Sequence, residues 1–336
     1  MIRFVGLVWV SLYYNMYIMC VVSLNCILHL KCNICWISSL GRLNNLYGEI
    51  PSELGELKEM RWFEIQDDYL VGTIPDSLAS WEKVHTMLLG GNYLAGGFPN
   101  TFSKNEMLGT IFIDRNQMNG TFPSVFSTLT NLEWLDAEDN DFEGTLPRQM
   151  GSLKSLRILN LNNNTMTGFL PDTWDEKNLI EDFEVANNNF RGTLPGSLAS
   201  AKWLKDFRAS NNTLTGEIPT SWYEWENLEE LYLDANSLGG ELPQTPEKFY
   251  DGLQEFSVHN NNFEGRFPVE HFEPTLRVKV LSLHNNDLTG TITTNICDRR
   301  DASLAWTQLT TLTADCDKIK CSCCTCYIDG EIQEQG

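Results

Sequence analysis

The sequence is poor in basic residues for its size. Among its 336 residues, 24 are lysine or arginine and 45 are aspartate or glutamate, so the formal net charge is −21 at pH 7. Such a charge repels other polyanions, which argues against nucleic acid and against anionic membrane surfaces as partners. A protein, peptide or glycan ligand that is neutral or basic is favoured instead.

The residue patterns of common active sites are also missing. None of the five histidines stands in a pattern that pairs it with a nucleophile and a base. A kinase Gly-rich loop, a His-Arg-Asp motif and an Asp-Phe-Gly motif do not occur. The sequence therefore predicts a protein that is not an enzyme, without catalytic residues, a cofactor or a metal site.

Charge is absent from one long stretch near the N-terminus. No Lys, Arg, Asp or Glu occurs between Phe4 and Leu30, a run long enough to span a bilayer. A secretory signal has a shorter apolar core and a small-residue cleavage site, but the first alanine is Ala79. Residues 1–37 are therefore predicted to be an uncleaved signal anchor or transmembrane helix. A misassigned start of the chain is the alternative, because the apolar residues that follow are out of register with the repeats.

A glycine recurs along most of the chain at nearly constant spacing. The interval is 24 residues eight times and then 25 residues twice. The glycines are Gly48, Gly72, Gly96, Gly120, Gly144, Gly168, Gly192, Gly216, Gly240, Gly265 and Gly290. A period of this size, together with the pattern Leu-x-x-Leu-x-Leu-x-x-Asn-x-Leu, indicates a leucine-rich repeat solenoid of about eleven repeats.

An asparagine precedes nearly every one of these glycines by four residues. Each repeat also alternates apolar and polar residues, as in Leu159-Asn160-Leu161, which predicts one short strand per repeat. A carboxamide at the turn after the strand can donate to and accept from buried backbone groups. We therefore predict a structural ladder, in which Asp68 is the exception. The ladder residues are Asn92, Asn116, Asn140, Asn164, Asn188, Asn212, Asn236, Asn261 and Asn286.

The segments "NLYGEIP", "YLVGTIP" and "TLTGEIP" resemble the plant-type leucine-rich repeat subfamily over residues 38–296. This resemblance implies a right-handed superhelix with a parallel sheet on the concave face, a short second sheet around the Gly-x-Ile-Pro segments, and 3-10 or loop segments on the convex side. It also implies an extracellular or cell-surface protein, of the kind found in receptor-like proteins. The C-terminal "WTQLTTLTADCDKIKCSCCTC" further resembles the Cys-rich ends of diatom leucine-rich repeat proteins.

Cysteine is missing from the whole repeat region and reappears in residues 297–336. A terminal coil exposes the core of a solenoid and needs a cap, so we predict that six cysteines form disulfides there. They are Cys297, Cys316, Cys321, Cys323, Cys324 and Cys326. A metal cluster is the rival interpretation, because two pairs among them have Cys-x-x-Cys spacing.

Three sequons, at Asn119, Asn163 and Asn211, agree with an extracellular location and predict N-glycosylation. A repeat rich in asparagine and threonine also produces such triplets by accident. A partial threonine column suggests ice binding, but it fails in six of the eleven repeats, so β-branched residues that fill the second sheet are the better interpretation. The column consists of Thr73, Thr121, Thr145, Thr193 and Thr291.

Function is expected on the outward strand positions of the concave face, which the fold leaves free of structural duty. This face is acidic with aromatic islands, and aromatic residues are typical anchors of binding sites. The predicted ligand-binding residues are Trp62, Glu64, Phe112, Asp114, Trp134, Asp136, Glu138, Asp182, Glu184, Arg208, Tyr232, Asp234, Glu255, His259 and His284. Asp234, His259 and His284 share one column on successive strands. They could bind a divalent metal or sense pH there, although solvated imidazoles are the simpler interpretation.

The resulting hypothesis is a non-enzymatic recognition module, resembling receptor-like proteins without a kinase, that binds a protein, peptide or glycan. Two alternatives stay open at this point. One is a secreted inhibitor of a wall-degrading enzyme, in the manner of polygalacturonase inhibitors. The other is a structural or adhesive cell-surface protein.

Overall fold

The structure is a computed structural model that describes residues 8–12, 16–20, 35–38, 46–244, 248–273, 277–300, 309–328 and 330–333. The chain divides into two compact units, Met1–Met166 and Thr167–Gly336. In each unit the chain winds through successive coils that contribute strands to a long sheet and to a short sheet.

In the first unit the long sheet is parallel from its third strand onward. Its strands are Val8–Leu12, Met16–Cys20, Cys35–Ser38, Met60–Glu64, Thr86–Leu88, Thr110–Phe112, Trp134–Asp136 and Ile158–Asn160. The short sheet contains Tyr47–Glu49, Tyr69–Gly72, Tyr93–Gly96, Gln117–Thr121 and Asp141–Thr145. The 3-10 turns are Ser52–Glu56, Asp76–Ser80, Asn100–Lys104, Ser124–Thr128 and Arg148–Ser152. The strand Thr165–Gly168 lies at the division between the units.

The second unit repeats this plan and ends in an antiparallel pair. Its long-sheet strands are Asp182–Glu184, Asp206–Arg208, Glu230–Tyr232, Glu255–Ser257, Val280–Ser282, Thr311–Asp315, Thr325–Ile328 and Glu331–Gln333. The short sheet contains Asn189–Gly192, Thr213–Gly216, Ser237–Glu241, Asn262–Arg266, Asp287–Thr291 and Ile319–Lys320. Its helical turns are the 3-10 segments Gly196–Ser200, Thr220–Glu224 and Asp298–Arg300 and the α-helices Lys248–Asp251, Val269–Phe272 and Thr294–Cys297.

The core follows from the alternation along each strand. Leu135 is fully buried, whereas its neighbour Trp134 is 41% exposed. After most short strands, an apolar residue such as Ile74 is buried in the core and a proline follows, which in many coils leads into a 3-10 turn. Pro75 has φ −67°, the value that its ring fixes, and therefore begins the turn Asp76–Ser80 without strain.

The asparagines at the predicted ladder positions connect successive coils. Asn92 donates from Nδ2 to Leu89 O at 3.0 Å and to Ile65 O of the preceding coil at 2.9 Å, and its Oδ1 accepts the Leu70 amide at 3.0 Å. Asn140, two coils further along the chain, makes the equivalent contacts: it donates to Ile113 O and Ala137 O and accepts the Met118 amide. Each side chain thus satisfies backbone groups that are buried inside the coil.

Asp68 stands in place of asparagine in this ladder and makes only the accepting half of the asparagine's hydrogen bonds. Its Oδ1 accepts the Leu46 amide at 3.1 Å, as an asparagine oxygen does. Its Oδ2 is buried and has no hydrogen-bond partner. A carboxylate oxygen cannot donate to the carbonyls that an Nδ2 group would reach, so this coil contains an uncompensated polar atom.

A second column, immediately before the ladder, was not predicted from the sequence. Its residues have left-handed backbone conformation, with φ between 49° and 57° at the non-glycine positions. Asparagine and aspartate dominate the column because their short polar side chains tolerate this conformation. The members are Asp67, Gly91, Arg115, Asp139, Asn163, Asn187, Asn211, Ala235, Asn260 and Asn285.

Three disulfides staple the C-terminal end of the second unit. They join Cys297 to Cys323, Cys316 to Cys326 and Cys321 to Cys324. The sequence left the pairing open, since it depends on which segments of the terminal coil lie side by side.

The segment 1–37, predicted as a membrane anchor, is described only in part. Its described residues belong to the strands Val8–Leu12, Met16–Cys20 and Cys35–Ser38. This differs from the helix expected there, and the abundance of β-branched and aromatic residues in "VWVSL" favours a strand. No helix among the described residues is long and apolar enough to cross a bilayer. Membrane anchoring, like the domain limits 37/38 and 296/297, stays a prediction.

Candidate ligand-binding faces

The long sheet of the first unit exposes a pair of aromatic rings. Trp134 and Phe112 lie on adjacent strands with ring centroids 6.1 Å apart and planes inclined by 7°. The residues beside them in sequence, Leu135 and Ile111, are completely buried. The core is therefore supplied by the alternate positions, and the fold does not require large apolar side chains on the outward face.

Carboxylates border this aromatic pair. Asp136 is in register with Phe112 on the neighbouring strand, and its Oδ1 accepts the Glu138 amide at 3.2 Å. Glu138 Oε2 in turn accepts a hydrogen bond from Asn160 Nδ2 at 2.9 Å. Backbone and amide donors hold both acidic side chains in place beside the rings.

Asp114 is less available to a ligand than its outward strand position predicts. Its side chain is buried and accepts a hydrogen bond from Arg115 Nε at 2.9 Å, and Arg115 Nη1 also pairs with Asp67 at 3.1 Å. A Cβ atom on Gly90 would lie 2.2 Å from Asp114 Oδ1, so the missing side chain of the glycine makes room for the carboxylate. The ion pair with Arg115 offsets the negative charge of Asp114. The outward position of Asp114 alone predicts that this charge faces the ligand.

Trp62 and Glu64 form a separate contact on the same face. Trp62 Nε1 donates to Glu64 Oε2 at 3.1 Å, and the indole meets His85 edge to face with centroids 6.1 Å apart. Both predicted residues are half-buried, so they offer less apolar surface than Trp134.

The long sheet of the second unit is organised around Arg208. Arg208 Nε lies 3.1 and 3.0 Å from the two carboxylate oxygens of Asp206, and Nη2 donates to the Glu230 carboxylate. The guanidinium also lies over the ring of Tyr232 at 4.6 Å from its centroid, and the Tyr232 hydroxyl donates to Glu255. Arg208 therefore neutralises part of the acidic surface.

Burial reduces the negative charge of this face further. It raises the pKa of Asp206 to about 7, although the nearby Arg208 acts in the opposite direction. Burial also raises the pKa values of Asp182 and Glu255. Asp206 and Glu230 were not among the predicted binding residues, yet they occupy the same outward strand positions as Trp134. Counting positions within each repeat does place both residues on the outward face, and only the selection of binding residues omits them.

The predicted column of Asp234, His259 and His284 forms an ordered stack instead of a solvated row. The two imidazoles stack with centroids 4.4 Å apart, and Tyr327 covers the other side of His284 at 3.7 Å. His284 is buried, and its Nδ1 is 2.7 Å from Thr313 Oγ1. Burial, and then the proximity of His259, lower the pKa of His284 to about 4.

These histidines have polar partners other than a metal. His259 Nδ1 lies 2.9 Å from Ser257 Oγ, and its Nε2 is 3.8 Å from Asp234 Oδ2, whose other oxygen accepts the Ser210 hydroxyl at 2.7 Å. Within the described residues, one set of side chains has metal-site spacing, namely the sulfurs of Cys297, Cys321 and Cys323, which lie within 4.8 Å of one another. All three are disulfide-bonded and so have no thiolate to offer a metal.

The three sequon asparagines are exposed in the structure. Asn119 lies in the short-sheet strand Gln117–Thr121, whereas Asn163 and Asn211 belong to the left-handed column. Asn163 Nδ2 donates to Asp139 Oδ1 at 2.7 Å, and Asn211 Nδ2 donates to Asn187 Oδ1 at 2.8 Å. N-glycosylation replaces one of the two hydrogens on Nδ2, so the remaining N–H of a glycosylated asparagine can still make this hydrogen bond between neighbouring coils.

Comparison with known proteins supports the repeat assignment. The Leucine Rich Repeat family model matches residues 155–176 and 227–249. Comparison of the sequence with curated proteins gives no match.

Several solved structures share the fold. The plant peptide hormone receptor RGFR1, solved in complex with RGF2, has a TM-score of 0.72 and 23% identity over 82% of this chain and 43% of that chain. A TDR receptor has a TM-score of 0.70 and 25% identity over 82% of this chain and 50% of that chain. A plant ice-binding protein has a TM-score of 0.62 and 26% identity over 73% of this chain and 78% of that chain.

This chain therefore spans half or less of the length of the two receptor structures. The similarity covers 82% of this chain in both cases, so the two receptor structures share the fold of its coils. The protein is a leucine-rich repeat solenoid that resembles plant leucine-rich repeat receptor ectodomains.

Proposed function

We propose that the protein is a non-enzymatic recognition module that binds a peptide or protein ligand on the long-sheet face of its first unit. The observation that carries the proposal is the Trp134–Phe112 pair. Trp134 is 41% exposed on a strand whose core-facing residue is fully buried. Exposed aromatic rings next to one another supply contact area at low entropic cost, as in binding hot spots.

The charge around this pair favours a basic side chain in the ligand. Asp136 lies directly beside Phe112, and Glu138 follows two residues later on the same outward side. A lysine or arginine side chain placed over Trp134 would combine a cation–π contact with an ion pair to Asp136. The formal net charge of −21 also accelerates encounter with cationic ligands.

The receptor structures agree with a peptide ligand, because one of them is a plant peptide hormone receptor in complex with RGF2. We place the module outside the cell, for which the disulfides provide independent support. Attachment to a membrane through residues 1–37 and glycosylation at the three sequons are part of this proposal.

Ice binding is not supported by the surface, despite the likeness to a plant ice-binding protein. Thr73, Thr121 and Thr145 are exposed at the short sheet of the first unit. The other outward positions of that sheet carry side chains as different as Tyr69 and Glu143, so the described strands of this sheet form no regular array of small hydroxyl groups.

The test selects peptide ligands from a random 12-residue library on the secreted chain and measures their affinity by calorimetry. We expect the selected peptides to be rich in arginine or lysine. Replacing both Trp134 and Phe112 by alanine should weaken their binding by about 2 kcal/mol, or roughly thirtyfold. Trp203→Ala is the matched control, because Trp203 is 56% exposed but does not belong to a long-sheet strand.

Folding is checked separately from binding. Trp134→Ala should leave the free energy of unfolding within about 0.5 kcal/mol, whereas Leu135→Ala on the same strand should lower it by roughly 3 kcal/mol. If Trp203→Ala weakens peptide binding and the Trp134 and Phe112 replacements do not, the long-sheet face is not the recognition surface.

A further inference from the structure

The short sheet of the first unit carries an exposed aromatic patch that the proposed function does not use. It consists of Tyr47, Tyr69, Val71 and Tyr93, whose exposed fractions are 52%, 46%, 43% and 46%. Such a concentration of large exposed side chains on adjacent strands is unusual for a surface without a partner. We call these four residues the tyrosine patch.

The strand register brings the four side chains onto one surface. Tyr47 is in register with Tyr69, and Val71 is in register with Tyr93. The rings of Tyr69 and Tyr93 are nearly parallel, with centroids 6.2 Å apart and planes inclined by 16°. The patch therefore spans three successive strands, and the register of these strands sets the spacing of its side chains.

Most outward strand positions beside the tyrosine patch are uncharged. The neighbouring outward positions are occupied by Thr73, Ala95, Gly97 and Gln117, which are small or neutral. The charged neighbours are Glu49 and the Arg115–Asp67 ion pair. Glu49 lies over Gly72 at the near edge, since a Cβ there would be 2.9 Å from Glu49 Cγ, and Arg115 and Asp67 carry opposite charges at the start of the strands.

On the other side, the next charged outward residues within the strands themselves are Asp141 and Glu143, two strands beyond Tyr93. In a chain with a net charge of −21, this neutral area does not offer the electrostatic complementarity that a basic partner needs.

We propose that the tyrosine patch binds a neutral polysaccharide with flat pyranose faces, such as a β-linked glucan. The C–H groups on such a face carry slight positive charge and pack against the electron-rich face of a phenol ring. The phenol hydroxyls, together with the neutral polar groups of Thr73 and Gln117, can exchange hydrogen bonds with sugar hydroxyls. A row of rings on successive strands suits an extended polymer better than a single sugar.

This surface is independent of the peptide site, because the patch lies on the short sheet and Trp134 lies on the long sheet. Asn119, one of the sequon residues, is exposed on the strand next to Tyr93. A glycan attached there would compete for the same area, so the test includes the variant Asn119→Gln.

The experiment is affinity electrophoresis of the secreted chain in native gels that contain hydroxyethylcellulose, with carboxymethylcellulose as the anionic polymer on the same backbone. We expect the neutral polymer to retard the protein, and the anionic polymer to retard it less. The double variant Tyr69→Ala, Tyr93→Ala should raise the dissociation constant at least about tenfold, whereas the corresponding phenylalanine variant should stay close to the original protein.

Phe169→Ala is the matched control, because Phe169 is 64% exposed but belongs to the second unit. The proposal is overturned if neither the original protein nor Asn119→Gln is retarded by hydroxyethylcellulose, or if the alanine double variant is retarded equally. It is also overturned if light scattering shows that this variant converts a dimer into a monomer, because the patch would then join two copies of the chain. Peptide binding by the Trp134 face is measured on the same variants and should not change.

Discussion

Asp315 accepts the backbone amide of Asn286 through Oδ2 at 2.9 Å, and this contact ends the ladder of coils. Its Oδ1 accepts the Asn285 amide at 2.7 Å. One coil earlier, the equivalent amide of Asn261 is bonded to the carbonyl of Asn285 at 3.1 Å. The carboxylate of Asp315 thus takes the place of the backbone carbonyls that a further coil would have supplied.

Removing this carboxylate should destabilise the C-terminal end. Asp315 is buried, so Asp315→Ala leaves two amide donors without an acceptor and should lower the free energy of unfolding by about 3 kcal/mol. Urea denaturation measures the loss, and hydrogen exchange should show faster exchange at the amides of Asn285 and Asn286. Asp317→Ala is the control at an exposed carboxylate nearby. Equal stability of the two variants would contradict the capping role.

The ladder predicts a stabilising substitution at Asp68. Asp68→Asn supplies the Nδ2 donor in place of the buried Oδ2, which has no partner, and should raise the free energy of unfolding by about 1 kcal/mol at neutral pH. Thermal unfolding of the two proteins is the measurement. The reverse change Asn140→Asp should lower stability, because it removes the donations to Ile113 O and Ala137 O. An Asp68→Asn variant with an unchanged or lower melting temperature would show that Asp68 is not a weak point of the ladder.

The histidine stack predicts a pH dependence of stability with a defined sign. The pKa of His284 falls from 6.5 to about 4 on folding, because its ring is buried next to His259. Between these values the unfolded chain binds more protons than the folded one, so this stabilisation is present above pH 6.5 and is lost as the pH falls toward 4. The free energy of unfolding should therefore change less between pH 4 and pH 6.5 in His284→Phe than in the original protein, by on the order of 2 kcal/mol.

The slope can be checked by urea denaturation at several pH values, and the ionisation by NMR of the imidazole. His85→Phe is the control, because His85 lies in the first unit outside the stack. An imidazolium signal for His284 that persists in the folded protein at pH 6 would contradict the assignment.

The contribution of each disulfide to the free energy of unfolding should increase with the length of the loop that it closes. The Cys297–Cys323 bridge separates residues 26 apart, and the Cys321–Cys324 bridge separates residues 3 apart. Serine in place of both members of a pair should cost about 3.5 kcal/mol for the first bridge and about 1.5 kcal/mol for the second, by loop entropy. Peptide mapping without reduction tests the connectivity, and free thiols in the secreted protein, with bound zinc, would favour the metal interpretation instead.

The repeat plan was predictable from the sequence because its rules are local. A buried strand position alternates with an outward one, so Leu135 and Trp134 could be assigned to opposite sides without coordinates. The fixed asparagine marks the place where a turn must satisfy buried backbone groups, and the family resemblance then specified the leucine-rich repeat solenoid, which is confirmed. The Cys-rich segment likewise predicted disulfides, and the structure contains three.

The tertiary structure decided which outward groups are available, because it brings side chains from different coils together. Asp114 occupies the space beside Gly90 and pairs with Arg115, which also pairs with Asp67, while Arg208 is enclosed by Asp206 and Glu230. Each coil places residues about 24 positions apart side by side, as in the register of Trp134 with Thr110 and Ile158. Charge cancellation, the pKa of a buried carboxyl and the continuity of an aromatic patch depend on those lateral contacts, whereas the period alone determines the position of each residue within its coil.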